Sequence, residues 1–172
     1  MSAAARGFPI QLAAELTGVT PRTLVNWCAR DFVEPSVSRG RTGPGGERLY
    51  SFRDLVAIRV ADDLRSRGMD VRNLRPAVDY IRSRDGLELD GVVSIDVFLL
   101  SDGRTFREVP FGPTFGELVR GAMQFKPRGP YSMLFIPFGK FVHELQTKVR
   151  AQGALRRVPP EPLPSKQPSN RR

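Results

Sequence analysis

Arg22, Asn26 and Arg30 are spaced four residues apart in a stretch that favours a helix, so they share one face of it. A guanidinium group suits phosphate and the O6/N7 edge of guanine, and a carboxamide suits the N6/N7 edge of adenine. Thr23 adds a hydroxyl beside them. This row points to contact with a nucleic acid rather than to bond-making. Arg39 and Arg41 lie in a glycine-rich stretch and read as nonspecific attraction, while Arg48 at its end reads as a contact to phosphate or to the minor groove. Other chemistry has little to stand on. Cys28 is the sole cysteine and His143 the sole histidine, which excludes an internal disulfide and leaves no thiolate cluster for zinc. Gly43-Pro44-Gly45-Gly46 lacks the Gly-Lys-Ser/Thr that a phosphate-cradling loop needs. His143 and Glu144 are adjacent on a helix and point in different directions. The expectation is no catalytic residue, no metal, no cofactor, and a chain that is not an enzyme.

Those arginines need elements to hold them. Pro9 to Leu16 reads as a first helix with Ile10, Ala13, Ala14 and Leu16 inward, ended by Gly18. Thr20 is a good N-cap and Pro21 suits the first helical position, so a second helix starts there. Its Leu24, Trp27 and Cys28 share the inner side. The Trp27 ring is thus core, with its indole N–H still able to reach a phosphate. Ser36 to Glu47 holds four glycines and a proline and reads as an exposed loop that Leu49-Tyr50 closes as a short strand. Ser51 and Asp54 have the spacing of a capping box, and Phe52, Leu55, Val56, Val60 and Leu64 mark the helix it opens. Gly68 ends that helix. Val71, Leu74, Val78 and Ile81 mark a fourth; Pro76 falls in its first turn if it begins at Asn73 and kinks it if it begins at Asp70.

Beyond Arg84 the pattern changes. Val92 to Leu100 reads as a strand, Asp102-Gly103 as a hairpin turn and Thr105 to Val109 as its return. Thr114 and Glu117 cap a short helix to Gly121, Tyr131 to Ile136 reads as a strand, and Phe138, Phe141, Val142, Leu145 and Val149 form a helical stripe. The predicted fold class is α+β. Residues 1–8 are a flexible N-terminus, 9–84 a helical DNA-binding unit, 85–91 a linker, 92–152 a small β-β-α-β-α domain, and 153–172 a disordered, basic, proline-rich tail. The surplus of apolar residues near Met123, Phe125 and Met133 fits either a partner surface or a wholly internal core.

The formal net charge is +9. Residues 1–84 carry 14 arginines against 9 acidic residues, residues 85–152 balance at 8 and 8, and residues 153–172 carry 5 basic residues against 1 acidic. The excess sits on the first unit and on the tail, the distribution that phosphate backbones attract. No apolar run approaches the roughly 20 residues of a membrane span, and Met1 to Gly7 has no signal-peptide core. A cytoplasmic, nucleoid-associated protein is expected.

On these residues, the segment 9–84 resembles the DNA-binding domain of the MerR family of bacterial transcription regulators. The resemblance is carried by Thr20-Pro21-Arg22-Thr23-Leu24, Trp27, Phe32-Val33-Glu34-Pro35, and Arg48-Leu49-Tyr50-Ser51 before Asp54-Leu55. More weakly, residues 9–150 are similar to an actinobacterial MerR-like subgroup of the FtsR type. The resemblance implies a winged helix-turn-helix whose second helix enters the major groove. It departs from the family at Val25-Asn26-Trp27, where many members carry Arg-Tyr-Tyr. It departs again after Arg84, where Gly86 and Gly91 break the long dimerisation helix. The expected function is a sequence-specific regulator of double-stranded DNA, a homodimer on an inverted repeat with its dimer contact in residues 92–150. The alternative is a DNA-binding adaptor, such as an antitoxin, excisionase or partition factor, that holds a protein partner through residues 92–152. The DNA-binding residues expected are Arg22, Thr23, Asn26, Trp27, Arg30, Arg39, Arg41 and Arg48.

Overall fold

The computed structural model of the 172-residue chain describes residues 6–40, 46–102, 105–110, 134–152 and 156–157. β1 (Arg6–Pro9) runs directly into α1 (Ile10–Thr17). Gly18 closes α1 at φ 79°, a left-handed conformation, and its N–H donates to the Ala14 carbonyl at 2.8 Å. α2 (Pro21–Ala29) follows a three-residue turn, with Thr20 accepting from the Thr23 N–H at 3.2 Å. β2 (Ser38–Arg39) and β3 (Arg48–Tyr50) pair antiparallel with Ser38 opposite Leu49 and Arg39 opposite Arg48, which forms the base of a wing.

The N-terminus departs from the expected flexible segment. Phe8 is buried opposite Tyr50, which docks β1 beside β3. Gly7 permits the approach, since a Cβ there would lie 2.8 Å from Leu49 Cβ. Arg156–Arg157 forms β7 on the other edge of β1, giving a sheet of order β2-β3-β1-β7. The expected disordered tail therefore contributes at least this short strand.

α3 (Phe52–Ser66) opens with the complete capping box, Asp54 N–H to Ser51 Oγ at 3.1 Å and Ser51 N–H to Asp54 Oδ2 at 2.9 Å. Its buried residues include Ala57, Ile58 and Ala61 as well as the stripe the sequence marks. A 3-10 turn (Val71–Asn73) precedes α4 (Arg75–Ser83), which leaves Pro76 in the first turn of the helix. The sheet of order β5-β4-β6 is antiparallel throughout, formed by β4 (Val97–Ser101), β5 (Phe106–Pro110) and β6 (Leu134–Ile136). Asp102 Oδ1 accepts from the Thr105 N–H at 2.8 Å and organises the hairpin end. The expected helix over Thr114 to Gly121 lies outside the described residues.

α5 (Phe138–Gln152) packs on α3 and α1. The Arg59 guanidinium lies 4.2 Å from the centre of the Phe141 ring, Lys148 Nζ donates to the Leu16 carbonyl at 3.2 Å, and Gln152 Nε2 donates to Glu15 Oε1 at 2.8 Å. This explains the extra buried side of α3. Leu24, Leu55 and Leu64 share one core with Leu99, Ile136, Phe138 and Val142, and Leu87, within the expected linker, is buried in it too. The two units therefore meet in a continuous core.

Candidate nucleic-acid interface

Burial of Leu24 and Trp27 sets the rotation of α2, and that rotation turns Arg22, Asn26 and Arg30 outward into solvent. Thr23 is half-buried and shares a hydrogen bond with Thr20 across 2.9 Å between the two hydroxyls. Its hydroxyl thus strengthens the start of the helix. Trp27 is only 4 % exposed and meets the Phe32 ring edge-on, centroids 5.1 Å apart. Its place is beneath the exposed row, which it supports from inside. Cys28 is half-buried beside it.

Arg39 and Arg48 are cross-strand neighbours at the base of the wing. Like charges facing each other across a strand pair repel, and the arrangement is eased by an ion pair between Arg39 and Glu34. Gly40, at φ 69°, keeps the hairpin tight, because a Cβ would lie 2.8 Å from the Gly46 carbonyl oxygen. Arg41 lies outside the described residues.

The wing and α2 are fixed relative to each other by one buried carboxylate. Asp54 is 1 % exposed. Its Oδ2 accepts from the Ser36 N–H at 2.8 Å, the Ser36 hydroxyl at 2.6 Å and the Ser51 N–H at 2.9 Å, and its Oδ1 accepts from Arg82 Nη2 at 3.1 Å. The same Arg82 nitrogen also donates to the Glu34 carbonyl. The capping residue of α3 thereby ties together the turn after α2, the entry to the wing and the end of α4. Tyr50, at the exit of the wing, is fully buried and its hydroxyl has no partner among the described residues. Burial, and then the neighbouring Cys28, push its pKa up to about 12.

The structure also brings together residues that sequence reasoning missed. Arg30 at the end of α2 shares a cleft of about 670 Å³ with Arg72 and Arg75, walled by Phe32, Met69 and Val71. Arg75 donates to the Asp31 carbonyl and, from Nε, to Asp79 at 3.1 Å. Asp70 accepts side-chain and backbone hydrogen bonds from Arg72, which holds its carboxyl below the usual value and raises the Arg72 guanidinium. In the sequence this segment shows its apolar stripe, and nothing there says that Arg72 comes near Arg30. Among the described residues no cluster of three or more His, Cys, Asp or Glu is placed to hold a metal ion. No helix among them is long and apolar enough to cross a membrane.

The exposed row on a short second helix, the paired wing and the capped third helix define a winged helix-turn-helix. Residues 8–81 match the family described as MerR HTH family regulatory protein, so this segment is a MerR-type helix-turn-helix domain. Proteins named uncharacterized HTH-type transcriptional regulators, from Mycobacterium bovis and from two strains of Mycobacterium tuberculosis, are 33 % identical to it over 109 residues. The match covers 63 % of this chain and 46 % of theirs, so the chain spans about half the length of the curated relatives it matches.

Proposed function

We propose that the chain is a transcription regulator that binds double-stranded DNA as a homodimer on an inverted repeat, acting by binding rather than catalysis in the bacterial cytoplasm at the nucleoid. The observation that carries this reading is the outward row Arg22, Asn26 and Arg30 on a helix whose setting against the Arg39–Arg48 wing is fixed by Asp54. Asn26 and Arg22 offer the groups that read adenine and guanine edges in a major groove. Arg39 and Arg48 supply phosphate contacts from the wing. Arg72 and Arg75 extend the cationic surface past the end of α2. One such unit spans few base pairs, which is why paired half-sites are part of the reading.

The test is binding of the full chain to genomic duplex fragments across a salt series. Log affinity should fall by roughly 0.9 per phosphate contacted for each log unit of salt. Arg22→Glu and Arg48→Glu should weaken binding with the melting temperature unchanged. Absence of duplex binding at low salt overturns the reading.

A further inference from the structure

Among the described residues four large apolar side chains are exposed, and two of them, Val92 and Ile95, stand on one loop at 99 % and 52 % exposure. That loop is held in place. Its Val93 is buried, the Gly91 carbonyl accepts from Gln146 Nε2 at 2.8 Å, and the Val97 N–H donates to the Ser94 carbonyl at 3.2 Å. Gly139 on α5 lets the loop lie directly on the helix, since a Cβ there would collide with the Ser94 carbonyl and come within 2.7 Å of the Ile95 carbonyl oxygen. Val92 and Ile95 are therefore presented to solvent by a fixed support, not left there by a loose chain.

The charges around them divide in two. Residues 85–96 hold Asp85, Glu88, Asp90 and Asp96, all exposed, and no basic residue. None of these four makes an ion pair among the described residues. Beside them, Ile95 lines a largely apolar groove of about 410 Å³ whose other walls are Lys140, His143, Glu144, Thr147 and Lys148 on the outer face of α5. Among the described residues Lys140 pairs with Glu144 alone, at 3.8 Å. An acidic loop carrying an exposed valine thus adjoins a groove with an apolar floor, edged by Lys140 and Lys148 with Glu144 between them.

We propose that this face is where a second copy of the chain docks, the loop 91–96 of each protomer seated in the α5 groove of the other. This rests on the dimer reading above and adds the surface that forms it. A two-fold contact must be self-complementary, because each patch meets its own copy in reverse. The face satisfies that requirement in both respects: its acidic half meets Lys140 and Lys148, and Val92 enters the apolar groove. The division of charge favours a second copy over a uniformly basic or acidic partner.

The experiment is sedimentation velocity on the full chain, wild type against Val92→Asp and, separately, Lys140→Glu, with thermal melts and duplex binding on the same samples. Both positions are exposed, so each variant should still melt as a folded protein, its melting temperature lowered only slightly by the weaker dimer and, for Lys140→Glu, by the like charge it sets beside Glu144. The wild type should sediment as a dimer, and each variant should raise the dimer dissociation constant by about tenfold or more, the consequence of placing a like charge in the contact. A wild-type chain that is monomeric overturns the proposal and leaves the face to a heterologous partner, whatever the DNA affinity shows. A dimer that persists unchanged in both variants overturns this face alone and leaves DNA binding and dimerisation standing.

Discussion

Arg82, at the end of α4, and Asp54, in the first turn of α3, meet across 3.1 Å with the carboxylate 1 % exposed. The pair does more than join two helices. Asp54 also holds Ser36 and Ser51, and Arg82 also holds the Glu34 carbonyl, so the wing entry, the α3 cap and α4 converge on one charge. Burying a carboxylate is costly unless its hydrogen bonds are met, and here both oxygens are engaged.

Asp54→Asn should therefore destabilise the fold by about 3 kcal/mol, the cost of leaving one partner of a buried pair behind. Urea unfolding followed by circular dichroism measures it. Arg82→Ala should give a comparable loss, because it leaves the buried Asp54 carboxylate without its cation. The double variant should lose less than the sum, as expected for residues sharing one network. A strictly additive double variant would show that the two act independently.

Base reading and phosphate attraction should separate by residue. Asn26→Ala should cost about 1–3 kcal/mol on the preferred site and leave affinity for random duplex unchanged. Arg72→Gln should lower both affinities by a similar factor and make the salt slope shallower. Competition binding with specific and random duplexes distinguishes the two outcomes. An equal loss on both DNAs for Asn26→Ala would remove it from the reading face.

Stability should fall in alkali. Tyr80 stacks on Phe106, centroids 5.5 Å apart, and its hydroxyl faces Glu108, which also pairs with Arg84. Burial, and then Glu108, raise the Tyr80 pKa to about 12, while Glu108 raises that of Arg84. A phenol whose pKa is raised on folding contributes stability that is complete below its unfolded value, about 10. That contribution is lost as pH climbs through about 12. Melting temperature should drop across this window in the wild type, with Tyr50 contributing in the same direction. Tyr80→Phe should show a shallower drop. An identical pH profile would sink the assignment.

Gly139→Ala should destabilise by about 3 kcal/mol, the upper range for forcing a methyl group into packed surroundings. In an exposed helix the same change would stabilise by up to about 1 kcal/mol. The sign of the change in thermal melting therefore decides whether the 94–95 loop is clamped on α5. Gain of stability would mean that it is not.

Much of the fold was legible because its signals are local. Thr20, Pro21, Ser51 and Asp54 announce helix starts through bonds within three residues, and Gly18 announces an end. The outward row on α2 follows from the inward positions of Leu24 and Trp27. Strand edges were less legible: β1 and β7 are short and are defined only by what they pair with. The division into two units with a linker also missed the continuous core, since Leu87 looks like one apolar residue among acids until Phe138 and Val142 arrive beside it in the same cluster.

By itself the sequence determined the class of the N-terminal domain, the order of its helices and the residues that face outward on α2. Only the tertiary structure decided that α3 is covered on a second side by α5, that Asp54 serves three elements at once, that Arg72 and Arg75 join Arg30, and that Val92 is held in the open. The physical reason is reach. Caps and helical faces are fixed by neighbours a turn away, whereas these four relationships depend on backbone brought together from 18 or more residues apart in the chain, as between Ser36 and Asp54.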